Sequence, residues 1–169
     1  MKSLLLASIT VLLFITLSAA DKTYRFELYS IDGKLTSSEE ILQQKKTKIL
    51  VVDFFSLYCE PCKKALPQWE KQYQKLKKRG LSFVVIVLPV EDNRMKEFEK
   101  IKKFFDAKKY SFPVLFDKYS LTGKRYKVVS KSGSAEIPQI FLIDKDGKLI
   151  ETGSEHKKMS KKVNKLLAH

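Results

Sequence analysis

Cysteine is scarce in this chain: two residues in 169, Cys59 and Cys62. Two thiols cannot staple a small disulfide scaffold. The fold must therefore rest on a hydrophobic core, which this length and a 44% apolar composition can supply. No internal repeat and no linker divides the sequence, and one domain is expected over residues 21–169. The 33 basic side chains outnumber the 19 acidic ones, yet they are dispersed over prospective helix faces and tails. A compact basic motif interleaved with aromatics is missing, so nucleic acid is not an expected partner. The charge leaves open an attraction to an anionic membrane surface or an acidic partner.

The N-terminus has a pattern of its own. Lys2 precedes an apolar run, Leu4–Leu17, and the small residues Ser18-Ala19-Ala20 stand before the polar Asp21. This is the pattern of a secretory signal over residues 1–20, cleaved after Ala20. An uncleaved membrane anchor is the alternative, because a run of this length nearly spans a bilayer. No cysteine follows the run, so a lipid anchor is not expected. Either way the domain is expected outside the cytoplasm, in a periplasm. In an exported chain, a single close pair of cysteines points to catalysis.

That pair sits in the most informative stretch. Ile49–Phe55 is an apolar, β-branched run that reads as a buried strand. Cys59-Glu60-Pro61-Cys62 follows, and then Leu66, Trp69, Tyr73 and Leu76 at helical spacing. The first thiol thus caps a helix N-terminus, where free N–H groups and the macrodipole favour a thiolate, the attacking species in disulfide exchange. Cys62, one turn further on, is shielded and placed to attack Cys59 once a mixed disulfide forms. Glu60 opposes thiolate formation at Cys59, and Lys63 and Lys64 favour it if their side chains turn back toward the site.

Strand, Cys-x-x-Cys and helix in this order resemble the thioredoxin superfamily, and three more positions match. Asp53 lies six residues before Cys59, Pro67 five residues after Cys62, and Ile137-Pro138 just before a late strand. Within the superfamily, Cys-Glu-Pro-Cys-Lys-Lys and the insert before Phe112-Pro113-Val114-Leu115-Phe116-Asp117 are similar to the TlpA/ResA group of exported thiol–disulfide oxidoreductases. The resemblance implies a thioredoxin-like α/β fold: a central mixed sheet flanked by helices, with an N-terminal β-hairpin and a central βα insertion. It implies that Asp53 accepts the Cys62 proton and that Pro138, in a cis peptide after Ile137, aligns an incoming chain. Tyr58 stands where thioredoxins usually carry tryptophan and, with Glu60 and Pro61, would contact substrate. The implied partners are protein disulfides or thiols and a membrane thiol electron donor. No cofactor beyond the dithiol is implied, and a monomer is expected.

Two positions depart from the group. Ala65 stands where ResA-like members carry glutamate, and Asp53 where TlpA-like members often carry asparagine. ResA's own substrate, apocytochrome c, therefore does not carry over directly. A reductase of exported disulfides is the leading expectation, in cytochrome c maturation or elsewhere. A disulfide oxidase or isomerase is the alternative. A copper-binding chaperone on the same fold needs a histidine at the dithiol, and only His156 and His169 exist, both near the C-terminus. A peroxiredoxin fits poorly, since Val52 stands where its proline belongs.

The remaining expectations are structural. Thr23–Tyr29 reads as a strand, Asp32-Gly33 as a hairpin turn, and Ser37 with Glu40 as the capping box of a helix reaching about Gln44. Arg79-Gly80 should stop the first long helix before a buried strand, Leu81–Leu88. Arg94–Asp106 should be a helix with Met95, Phe98, Ile101 and Phe105 in the core, followed by a strand at Pro113–Phe116. Tyr119–Val128 starts helical and is interrupted at Gly123. Lys131–Glu136 is a polar loop. Gln139–Ile143 and Lys148–Thr152 flank the turn Asp146-Gly147, and Glu155–Leu167 closes as a helix burying Met159, Val163, Leu166 and Leu167.

Overall fold

The apolar run Ile49–Phe55 forms strand β3, and all seven of its residues are buried. Only a strand covered on both faces tolerates such a sequence. The computed structural model describes residues 23–44 and 46–168, and the expected signal at residues 1–20 lies outside the described residues. Before β3 come the hairpin β1 (Glu27–Tyr29) and β2 (Leu35–Ser37) and the short helix α1 (Ser38–Leu42). After it come α2 (Glu60–Leu76), a 3-10 turn at Lys77–Arg79, β4 (Leu81–Val87), α3 (Arg94–Lys108) and β5 (Val114–Phe116). The chain closes with α4 (Leu121–Arg125), β6 (Gln139–Asp144), β7 (Leu149–Gly153) and α5 (His156–Leu166).

The sheet runs β5-β4-β3-β6-β7. β3 is parallel to β4 and antiparallel to β6, so the sheet is mixed about its central strand. Alternation along β3 sends Val51 and Phe55 to one face, where Trp69, Phe83, Ile101, Phe105 and Val163 pack from α2, β4, α3 and α5. Leu50, Val52 and Phe54 point to the other face, against Phe26, Ile41, Tyr126 and Phe141. This is the thioredoxin-like α/β fold with its N-terminal hairpin. Among the described residues no helix is long and apolar enough to cross a membrane.

Local signals account for most boundaries. Ser37 caps α1 by accepting the Glu40 N–H at 3.0 Å. Gly80, with φ of 110°, ends the 3-10 turn in a left-handed conformation. Four expectations need correction. Only Glu27–Tyr29 of the first segment pairs as a strand with β2, while Thr23 makes an isolated bridge to Lys148. Met95 is 59% exposed, and Glu97 is buried in its place. The cause is polar: the Glu97 carboxylate accepts the backbone N–H groups of Val90 and Glu91 at 2.8–3.1 Å. Gly123 does not interrupt its helix but lies inside α4, where a Cβ would come within 2.7 Å of Val129 Cγ2. Leu166 is 38% exposed and Tyr73 only half-buried, while Gln72 is buried, bonded to the carbonyl of Ser160 at 2.8 Å.

Candidate active site

The loop leaving β3 brings Cys59 to the N-cap of α2, where its Sγ accepts the Cys62 N–H at 3.3 Å. Glu60 and Pro61 fill the first two helical positions, and proline is suited to a first turn whose N–H groups are unpaired in any case. Cys59 and Cys62 are joined as a disulfide with their Cα atoms 5.2 Å apart. In this oxidised form Cys59 retains 7% exposure and Cys62 none, so the pair differs in access even though both are buried. The Lys63 ammonium pairs with the Glu60 carboxylate, so each offsets the other's effect on Cys59.

Tyr58 lies beside the pair, 58% exposed. Its hydroxyl donates to Glu91, which also holds Lys100 at 2.6 Å. The bond to Glu91 raises the Tyr58 pKa, and Lys100, then Tyr58, lowers that of Glu91. Ile137 and Pro138 are half-buried, and the peptide between them is cis. Pro138 precedes Gln139, which stands opposite Phe54 in the β3–β6 ladder. Register thus brings it to the end of β3 that leads to Cys59. The Lys131–Ser134 part of the neighbouring polar loop is exposed and is tied by a Ser130–Ser134 turn.

Asp53 stands mid-strand, opposite Val85 and Ile140. It shares the α2/α5 face with Val51 and Phe55 and has no solvent exposure. Neither carboxylate oxygen has a hydrogen-bond partner, and burial pushes its pKa well above the usual carboxyl range. The nearest polar group given by the structure is the imidazole of His156, with Nδ1 3.7 Å from Asp53 Oδ2. That separation is within ion-pair reach but too long for a hydrogen bond. Trp69 Nε1 donates to the same Nδ1 at 2.8 Å, which places the neutral ring's proton on Nε2. Nε2 is buried without a partner, and burial lowers the His156 pKa to about 4. Burial thus favours the neutral form of both groups.

In the sequence His156 stands out only as a candidate metal ligand. Among the described residues no group of three or more His, Cys, Asp or Glu converges as a metal site would require. The available signal was its place three residues before Met159 and seven before Val163, on the buried stripe of α5. The Glu91–Lys100 anchor of Tyr58 had no signal, because it joins the loop after β4 to α3 across a turn.

Comparison with known proteins agrees with this geometry. ResA, the thiol-disulfide oxidoreductase of Bacillus thuringiensis subsp. konkukian, is 34% identical over 126 residues, covering 75% of this chain and 64% of that protein. The chain thus spans slightly less than two thirds of the length of these ResA relatives. The sporulation thiol-disulfide oxidoreductase A of Bacillus subtilis is 26% identical over 119 residues, 70% of this chain and 67% of that one. Two crystal structures share the fold. StoA from Bacillus subtilis superposes with a TM-score of 0.61 at 22% identity, covering 83% of this chain and 96% of that one. The thioredoxin domain of a thiol-disulfide oxidoreductase from Bacteroides vulgatus gives 0.66 at 19%, covering 86% and 96%. A family model described as AhpC/TSA matches residues 19–152. The chain belongs to the AhpC/TSA family, as a thioredoxin-fold protein homologous to ResA- and StoA-type thiol–disulfide oxidoreductases.

Proposed function

We propose that the protein is an exported thiol–disulfide oxidoreductase that reduces disulfides in other proteins, acting as a monomer through Cys59 and Cys62. The observation that carries this reading is the pair itself, with one thiol capping α2 and still reachable and the other enclosed one turn later. Cys59, as thiolate, attacks a substrate disulfide, forming a mixed disulfide and releasing one substrate thiolate. Cys62 then loses its proton toward Asp53 and attacks the Cys59 sulfur. The second substrate thiol leaves and the Cys59–Cys62 disulfide forms. In this reading Pro138, which lacks an N–H, and Ile137 align an extended substrate segment at the end of β3 that leads to Cys59, and Tyr58, Glu60 and Pro61 contact it.

The direction follows from charge. A strong oxidant needs a strongly stabilised thiolate, and here Lys63, one turn into the same helix, is engaged with Glu60. A potential near that of thioredoxin, about −270 mV, is expected. Such a dithiol in a periplasm requires a membrane thiol donor to re-reduce it, whether its own N-terminal segment is cleaved or retained as an anchor. Equilibration against glutathione and dithiothreitol buffers tests this directly. A potential above about −180 mV would place the protein with oxidases and isomerases instead. A brief iodoacetamide pulse on the reduced protein should label Cys59 well before Cys62; preferential labelling of Cys62 would reverse their roles. Trapping on Cys62→Ser should identify the substrates.

A further inference from the structure

Burial favours the protonated form of a carboxyl as enclosed as Asp53, and in that form it cannot take a further proton from Cys62. The structure holds an answer beside it. We infer that His156 is the positioning residue that completes a proton relay, Cys62 to Asp53 to His156, so that Asp53 passes on its own proton while receiving the thiol's. This inference rests on the reductase reading of the dithiol. In the step, the Cys62 S–H bond breaks and its proton goes to one Asp53 oxygen. The proton on the other oxygen passes to His156 Nδ1. The products are a Cys62 thiolate, a neutral Asp53 and an imidazolium that balances the thiolate's charge.

The geometry fits this use. Nδ1 faces Trp69 Nε1 at 2.8 Å and Asp53 Oδ2 at 3.7 Å, so it has two rivals for one lone pair. To accept from Asp53 the ring must exchange Trp69 for the carboxyl, a shift of about 1 Å to reach hydrogen-bond distance. Nothing else holds the carboxyl, because neither of its oxygens has a bond to lose. The surroundings contribute little competing charge. On β7, Glu151 is turned to Lys162 at 2.8 Å. From β6 the buried residues Ile140–Ile143 are apolar, and from α2 the side chains packed toward α5 are Trp69 and Gln72, with Gln72 bonded to Ser160. On α5 itself Lys157 and Lys158 are exposed, as is Glu155 before it. From β3 the only titratable group is Asp53.

The test uses the reduced full chain and Ellman's disulfide, which releases one thionitrobenzoate when Cys59 attacks and a second when Cys62 resolves the mixed disulfide. His156→Gln keeps an oxygen that can accept from Trp69 but cannot hold the proton. Its second phase should be at least about tenfold slower than wild type at pH 6, with the deficit shrinking as rising pH ionises Asp53 unaided. Trp69→Phe removes the rival donor, so its second phase at pH 6 should equal or exceed wild type. A deficit in His156→Gln that is the same at every pH, superimposable profiles, or a Trp69→Phe profile that copies His156→Gln would each overturn the relay. Because this probe needs no protein substrate, failure to reduce protein disulfides would count against the proposed function alone.

Discussion

Two aspartates in this molecule are equally hidden and oppositely treated. Asp53 in the middle of β3 and Asp117 at the corner where β5 turns into α4 are 0% and 2% exposed. Asp117 is saturated: Oδ1 accepts the Leu121 N–H at 3.0 Å and Oδ2 that of Gly123 at 2.8 Å. Burial still raises its pKa, but bonds from Gly123, Leu121 and Thr122 pull against the rise. Asp53 has no such bonds, and burial acts on it unopposed. A buried carboxyl that caps a helix is a structural part; one left without partners weakens the fold, and its presence is explained by chemistry.

The comparison breaks most visibly at the saturated corner. Asp117→Ala should lose about 2–3 kcal/mol in urea unfolding, because the buried Gly123 N–H and the part-buried Leu121 N–H both lose their acceptor. A loss below about 0.5 kcal/mol, the range of ordinary surface changes, would mean the corner does not depend on that carboxylate. Glu97 extends the same logic to α3, since it ties down Val90 and Glu91. Glu97→Ala should lose about 2 kcal/mol and speed amide exchange at Val90 and Glu91. Met95→Lys on the same helix should change stability by less than about 0.5 kcal/mol, given its exposure.

These positions also show what could be read in the sequence. The β3–Cys59–Cys62–α2 unit was legible because its signals are local: an unbroken apolar run, a cap and a period of 3.6 residues. Met95 reads as core because hydropathy ranks methionine above glutamate, whereas the backbone N–H groups that draw Glu97 inward lie in another segment and have no sequence mark. Gly123 reads as a breaker in the sequence, whereas its cause is the approach of Leu88 and Val129, a tertiary fact. His156 was invisible as a neighbour of Asp53 for the same reason: 103 positions separate them, and only the antiparallel return through β6 and β7 brings α5 over β3.

The unsatisfied half of the comparison is tested by pH rather than by truncation. An unfolded chain releases the Asp53 proton near pH 3.9, and the folded chain holds it to a higher pH. Between those limits the native state binds more protons, so stability falls as pH rises. His156 acts in the opposite sense. It takes its proton near pH 6.5 when unfolded and at about 4 when folded, so between those values the unfolded chain binds more protons and stability rises with pH. In the wild type the two slopes oppose each other from pH 4 to 6.5, and above 6.5 only the Asp53 limb can remain. Asp53→Asn should remove the falling limb. Its stability relative to wild type should climb from pH 4 upward, by about 1.4 kcal/mol for each unit of Asp53 elevation crossed. The new amide adds a constant offset of its own, so the slope is the quantity to read. Urea melts of both proteins at pH 4, 5.5, 7 and 8.5 supply it. A difference that does not change with pH would show that Asp53 ionises as readily in the folded chain as in the unfolded one, and its contrast with Asp117 would be geometric only.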